Sequence, residues 1–201
     1  MIMTISENQS RSSGRLILFT GPSGVGKNKI LAVLFGLHPN QLKYSISTTT
    51  RLPRTGEVDG TDYYFVSTQA FEALIAQDGF LEYAQYNGQY YGTPKAKINE
   101  WLAAGLDVVL EIETQGALQI MEQVPANQLF SVFILPPEPA IETLRARLQT
   151  RNTETPEQIE ARLVQSQREL LEAPKFQHQL VNWVVADTAK ALSQLLYPET
   201  D

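Results

Sequence analysis

Gly21-Pro22-Ser23-Gly24-Val25-Gly26-Lys27-Asn28-Lys29 follows the apolar run Arg15-Leu16-Ile17-Leu18-Phe19-Thr20. The run reads as a buried parallel strand. The three glycines after it let the backbone curl so that successive N–H groups turn inward. Lys27 then stands where it can reach nucleotide β and γ phosphates, the arrangement of a phosphate-binding loop. Ile30-Leu31-Ala32-Val33-Leu34-Phe35 continues as the apolar face of a helix, whose N-terminal dipole and amides favour phosphate. The complete pattern asks for Ser or Thr directly after the lysine, as an Mg²⁺ ligand, and Asn28 occupies that place. No complete protein ligand set for a metal is identifiable.

The remaining composition narrows the class. With 201 residues and 43% hydrophobic content, the chain can bury a full core. Its formal charge of -6, from 22 acidic and 16 basic side chains, argues against a broad nucleic-acid footprint. Arg51 with Arg54, and Arg145, Arg147, Arg151 and Arg162, form local basic groups suited to a small anion, although a solvated helix face accounts for some of the second group. There is no cysteine, so no disulfide framework or thiol nucleophile, and His38 and His178 alone cannot make a multi-histidine zinc site. Residues 1–14 are polar, a flexible leader without the apolar segment of a signal peptide or membrane span, and cytoplasmic residence is the simplest expectation.

Between the phosphate loop and Ala96 the chain reads as short strands, Tyr44–Ser47, Tyr63–Val66, Phe80–Tyr86 and Gln89–Gly92, with an Asn87-Gly88 turn and helical spacing at Phe71, Leu74 and Ile75. That suggests an inserted lobe. Ala96–Ala104 reads as a helix, and Asp107–Ile112 and Gln128–Leu135 as core strands between helical segments, the pattern of a parallel sheet covered on both faces. Helices are expected over Ile141–Leu148, Pro156–Leu171 and Thr188–Leu196, with a last strand over Leu180–Val185.

The phosphate loop together with Ser47-Thr48-Thr49-Thr50-Arg51-Leu52-Pro53-Arg54-Thr55-Gly56-Glu57-Val58-Asp59-Gly60 resembles the guanylate kinase family. Asp62–Val66, Phe80–Ala84, Gly88–Thr93, Glu111–Ala117 and Ile134–Pro137 extend the likeness in order, over nearly the whole chain after Gly14. The resemblance implies an α/β P-loop nucleoside monophosphate kinase fold: a doubly wound parallel core sheet (15–45, 96–140 and 163–201), an inserted mixed α/β GMP-binding lobe (46–95) and a helical lid (141–162). It implies transfer of the γ-phosphoryl group of ATP to GMP or dGMP with Mg²⁺, giving ADP and GDP, so that GMP/GDP and ATP/ADP are the expected partners. Arg51, Arg54, Tyr63 and Tyr91 would hold the GMP phosphate. Ser47, Glu82, Thr93 and Glu113 would lie at the guanine. Gly21, Pro22, Ser23, Gly24, Val25, Gly26, Lys27, Asn28 and Lys29 would bind ATP, with Lys27, Arg147, Arg151 and Arg162 as the catalytic cations.

The residue types suit those roles. Arg offers a fork of donors that engages a phosphate monoester bidentately. A carboxylate at Glu82 can accept from guanine N1–H and the 2-amino group, a donor pair that adenine lacks. Taken by periodicity alone, Glu82 is a solvated strand residue, and Tyr63 and Tyr91 are aromatic packing. Arg147 and Arg151, four apart, share a helix face, whereas Arg145 points elsewhere. Asn28, Lys29, Asn152 and Ala186 depart from the family pattern, all on the donor side. They leave a GMP- or GDP-binding protein with reduced or lost phosphoryl transfer, in a regulatory or protein-interaction role, as the alternative.

Overall fold

The computed structural model describes residues 13–86, 88–151 and 154–198, without the side chains of Tyr86 and Arg151. The leader up to residue 12, Asn87 of the expected turn and Asn152 therefore lie outside the described residues. Gly14, at the end of the expected leader, is already buried, and its N–H donates to the Leu102 carbonyl at 2.8 Å.

The first strand, β1 (Leu16–Thr20), is the centre of a five-stranded parallel sheet. All five of its residues are buried, and they alternate between two cores. Ile17 and Phe19 face a cluster that includes Ile30 and Leu34 of α1 (Lys27–Leu37), Leu144 and Leu148 of α5 (Ala140–Arg151) and Leu192 of α7 (Val185–Leu196). Leu16 and Leu18 face the other, with Ile98 of α3 (Lys95–Ala103) and Ile120 of α4 (Thr114–Gln123). Both faces of the sheet are thus covered by helices, which is why its strands read as continuous apolar runs.

Strand order is β2 (Leu42–Tyr44), β7 (Asp107–Glu111), β1, β8 (Leu129–Leu135), β9 (His178–Val181). The chain leaves β1 first toward β2 and β7, then returns to the other side through β8 and β9. That reversal creates a crevice at the carboxyl end of β1, the usual ligand position in open α/β sheets.

Residues between β2 and α3 form a second, mixed sheet in the order β4 (Tyr64–Phe65), β3 (Thr48–Thr49), β6 (Gln89–Pro94), β5 (Phe80–Tyr86). Its back is an aromatic core on α2 (Thr68–Ala76): Phe71 stacks on Phe80 at 4.3 Å and on Tyr90 at 5.1 Å between ring centroids. Strand alternation sends Tyr91 and Thr93 to the opposite face, where Thr93 lies across from Glu82.

After β8, α5 and α6 (Pro156–Glu172) run consecutively, the second opened by a Thr155–Gln158 capping box. The expected strand over Leu180–Val185 is displaced. Pairing with β8 ends at Val181, and Val185 already begins α7. Trp183 and Val184 supply the apolar character that suggested a strand, yet they are 70% and 53% exposed. Pairing stops there because the Asn182 N–H donates to the Leu135 carbonyl at 2.8 Å and β8 then runs into Pro136-Pro137, which offer no N–H. No helix among the described residues is long and apolar enough to cross a membrane.

Candidate active site

The phosphate loop joins β1 to α1, and its curl needs glycine. Gly24 and Gly26 have φ of +85° and +103°, in the region that side chains disfavour. A Cβ on Gly26 would also stand 2.7 Å from Asn182 Nδ2. Lys27 Nζ donates to the Gly21 carbonyl at 2.7 Å, which folds the ammonium over the loop.

Two distant side chains hold the loop from outside. Asn182 Nδ2 donates to the Val25 carbonyl at 2.7 Å, and Arg147 Nη1 donates to the same oxygen at 3.0 Å. Arg147 Nη2 also donates to the Asn182 carbonyl at 2.9 Å, and burial pulls the pKa of this guanidinium down. Arg162 Nη1 donates to Ser23 Oγ at 2.9 Å, and its Nη2 pairs with Glu154 at 2.6 Å. Arg145 instead pairs with Glu160, away from the loop.

Across the cleft, the second sheet presents two clusters. In the first, Arg51 lies 5.3 Å from the Tyr63 ring centroid and bonds both Glu57 carboxylate oxygens, at 2.8 and 2.9 Å. Glu57 Oε2 further accepts the Arg54 backbone N–H at 2.7 Å. Arg51 is the main cause of a lowered Glu57 pKa, assisted by that backbone bond. Tyr63 meets Tyr91 edge-on at 6.2 Å between centroids, and burial raises the Tyr63 pKa.

In the second cluster, Thr93 Oγ1 donates to Glu82 Oε1 at 2.6 Å. Burial raises the Glu82 pKa, Thr93 opposes the shift and Glu113 adds to it. Helix α4 comes close enough to matter: a Cβ on Gly116 would lie 3.3 Å from Glu82 Oε2. Glycine there leaves room for the carboxylate.

A cleft of about 510 Å³ is lined by Lys27 and Asn28 after the phosphate loop, by Ser47, Glu57 and Tyr63 of the second sheet's region, and by Glu111 and Glu113. Glu111 ends β7, where burial raises its pKa while Lys27 and a bond from Tyr44 lower it. The Tyr44 hydroxyl donates to Glu111 Oε2 at 3.4 Å, and its own pKa is raised, chiefly by burial. Glu169 of α6 enters the same space, seven residues and two turns from Arg162. Its pKa is raised by burial and by Glu113, with Gln165 and Lys27 opposing.

The expected residues are therefore gathered unequally. Gly21, Ser23, Lys27, Asn28, Ser47, Tyr63 and Glu113 border one cleft, whereas Arg51, Glu82, Tyr91 and Thr93 lie outside its lining. Arg147 is directed at the back of the loop, and the Arg54 residue is exposed. Asn28 and Lys29 are both exposed, and Arg151 is described only as the last residue of α5. Ala186 lies in the first turn of α7, but Asn182, four residues earlier, brings an amide to the loop.

Sequence reading gave no role to Glu57, Tyr44, Glu111, Glu169 or Asn182. Glu57 lies within the Ser47–Gly60 motif, and Glu111 is the charge closing an apolar strand. For Asn182 no local signal existed, because its partner Val25 is 157 positions away.

A family model described as guanylate kinase matches residues 13–199. The guanylate kinase of Gloeobacter violaceus is 50% identical over 185 residues, covering 92% of this chain and 88% of that protein. That of Thermus thermophilus is 47% identical over 186 residues, covering 92% of this chain and 82% of its own length. A solved guanylate kinase from Anaplasma phagocytophilum superposes with a TM-score of 0.71 at 30% identity, covering 92% of this chain and 85% of that one. With Gly21, Ser23 and Lys27 of the phosphate loop bordering one cleft with Ser47, Tyr63 and Glu113, and relatives matching along nearly the whole length, this chain belongs to the guanylate kinase family.

Proposed function

We propose that this protein transfers the γ-phosphoryl group of ATP to GMP or dGMP, giving ADP and the guanosine diphosphate. The observation that carries the reading is the Thr93–Glu82 pair, whose carboxylate feels Glu113, a residue that borders the same cleft as the phosphate-loop residues Gly21, Ser23 and Lys27. A base-reading carboxylate and a phosphate cradle so arranged suit a guanine nucleotide as acceptor and a nucleoside triphosphate as donor. The similarity to named guanylate kinases favours turnover over the binding-only alternative.

In this reading the ionised Glu82 accepts from guanine N1–H and the 2-amino group, with Ser47, Thr93 and Glu113 around the base. Arg51, Arg54, Tyr63 and Tyr91 bind the acceptor phosphate. The amides from Gly21 to Lys27, continued by Asn28 and Lys29, bind the ATP phosphates. A GMP phosphate oxygen then forms a bond to the γ-phosphorus as the bond to the β–γ bridging oxygen breaks, and ADP leaves. No protein nucleophile is required; positioning and charge neutralisation supply the catalysis.

Lys27 neutralises the β and γ oxygens. Arg147, Arg151 and Arg162 reach the transferring group when the segment 141–162 closes as a lid, which also excludes water. For Arg147 and Arg162 closure means exchanging the Val25 carbonyl and Ser23 for phosphate.

The donor set fits Mg²⁺ carried in by ATP. Asn28, with an amide oxygen in place of a hydroxyl, and Glu111, a carboxylate on the same cleft, would hold the ion alongside phosphate oxygens and water. The ion would supply charge neutralisation at the β and γ phosphates. Glu111 and Asn28 would orient it.

A coupled assay with ATP, Mg²⁺ and GMP tests the reading. Turnover is expected with GMP, abolished by Lys27→Ala, and Glu82→Gln is expected to weaken GMP by about a hundredfold while leaving AMP unchanged. Absence of GMP-dependent turnover overturns the activity, and equal weakening of GMP and AMP overturns the base contact.

A further inference from the structure

Glu57 takes three hydrogen bonds from the acceptor loop, although sequence reading gave it no task. Its two oxygens face Nη1 and Nη2 of Arg51 at 2.8 and 2.9 Å, and Oε2 also takes the Arg54 N–H at 2.7 Å. A guanidinium has five N–H donors in a fixed plane. Glu57 occupies the end-on pair, and the other Nη1 hydrogen goes to the Leu52 carbonyl at 2.8 Å. What remains is the parallel pair on the Nε–Nη2 edge, itself a bidentate edge for a phosphate. The plane of the group is confined by the rings of Tyr63 and Phe65, whose centroids lie 5.3 and 5.7 Å from Arg51 Cζ. Glu57 is the main cause of a raised Arg51 pKa, and Tyr91 adds to it.

We propose that Glu57 is a positioning residue that orients Arg51, presenting its Nε–Nη2 edge to the phosphate of the acceptor nucleotide while fixing the loop at Arg54. This rests on the reading of the cleft as a GMP site. A carboxylate beside a phosphate site repels the ligand, so Glu57 favours binding only if the order it imposes on Arg51 outweighs that repulsion. Order imposed before binding is order that GMP need not supply. The two effects have opposite signs, which makes the role measurable.

Titration calorimetry of GMP and of guanosine, which lacks the phosphate, separates the cases when run on the full chain and on Glu57→Gln. GMP affinity is expected to fall about tenfold with guanosine affinity unchanged. In steady state, KM for GMP is expected to rise by the same factor, with kcat and KM for ATP within about twofold of the unsubstituted protein. Unchanged or tighter GMP binding overturns the proposal, as does a parallel loss of guanosine binding, which marks collapse of the whole lobe. If Glu57→Gln does not fold, Glu57→Asp carries the same test, because the shorter arm keeps the charge but cannot span both Arg51 and Arg54. An unsubstituted protein that binds neither ligand removes the GMP reading itself, and the proposal with it.

Discussion

At the scale of single residues, Glu82 is governed by opposing effects. Burial favours its neutral form, while the Thr93 hydroxyl, donating at 2.6 Å, favours the carboxylate that the proposed guanine contact requires. Removing the donor with Thr93→Val moves the Glu82 pKa further upward, so the acid limb of kcat/KM for GMP moves to higher pH. A pH–rate profile checks this, and a limb that stays in place contradicts the pairing. Asn28 is the corresponding donor-side case: Asn28→Ser restores a hydroxyl to the Mg²⁺ side and is expected to raise kcat about twofold or more, measured at saturating ATP and Mg²⁺. Glu82 was legible only through its surrounding motif. Its strand position alone describes a solvated glutamate, because a sheet's second face is defined by what packs over it, here α4 at Gly116.

Elements explain why the phosphate loop keeps its shape. The loop's own glycines permit the curl, but its Val25 carbonyl is fixed by Asn182 at the end of β9 and Arg147 of α5. Asn182 is 2% exposed, and Asn182→Ala leaves Arg147 as the remaining side-chain donor to that oxygen. A loss of about 1–2 kcal/mol in urea unfolding is expected, with KM for ATP raised and KM for GMP unchanged. A rise confined to GMP would show that the strut serves the other half of the cleft. The displaced last strand has a separate cause, the end of β8 at Leu135. Leu180–Val185 is mostly of strand composition, yet its pairing with β8 closes with the Asn182 N–H on the Leu135 carbonyl at 2.8 Å. Propensity cannot report where pairing stops, since that depends on the length of the neighbour.

For the whole molecule, the two ends of the core sheet divide stability from function. The cleft lies at the carboxyl ends of the strands, while at the start of β1 and β7 a buried ion pair joins Arg15 to Asp107 at 2.7 Å. Tyr197 also donates to Asp107, at 2.9 Å, and Arg15 donates to the Leu196 carbonyl at 2.9 Å, so the end of α7 is tied to the sheet. Asp107→Ala strands the Arg15 charge, and a loss of about 3–5 kcal/mol is expected by urea denaturation. Below the unfolding transition, kcat/KM for GMP should match the unsubstituted protein. A fall in activity without a fall in stability would place Asp107 in communication with the cleft.

The sequence by itself determined the strand, glycine-rich loop and helix around Lys27, the two-faced alternation of β1 that demands helices on both sides, and the ordered motifs that assign the family. These are properties of neighbouring residues, set by backbone conformation and by the period at which apolar side chains repeat. Tertiary structure decided which distant groups brace the loop, which edge of Arg51 stays available and which carboxylates share a cleft. Val25 meets residues 122 and 157 positions away. Such meetings follow from strand order and helix packing, and they become determinate only once the chain has closed around its sheet.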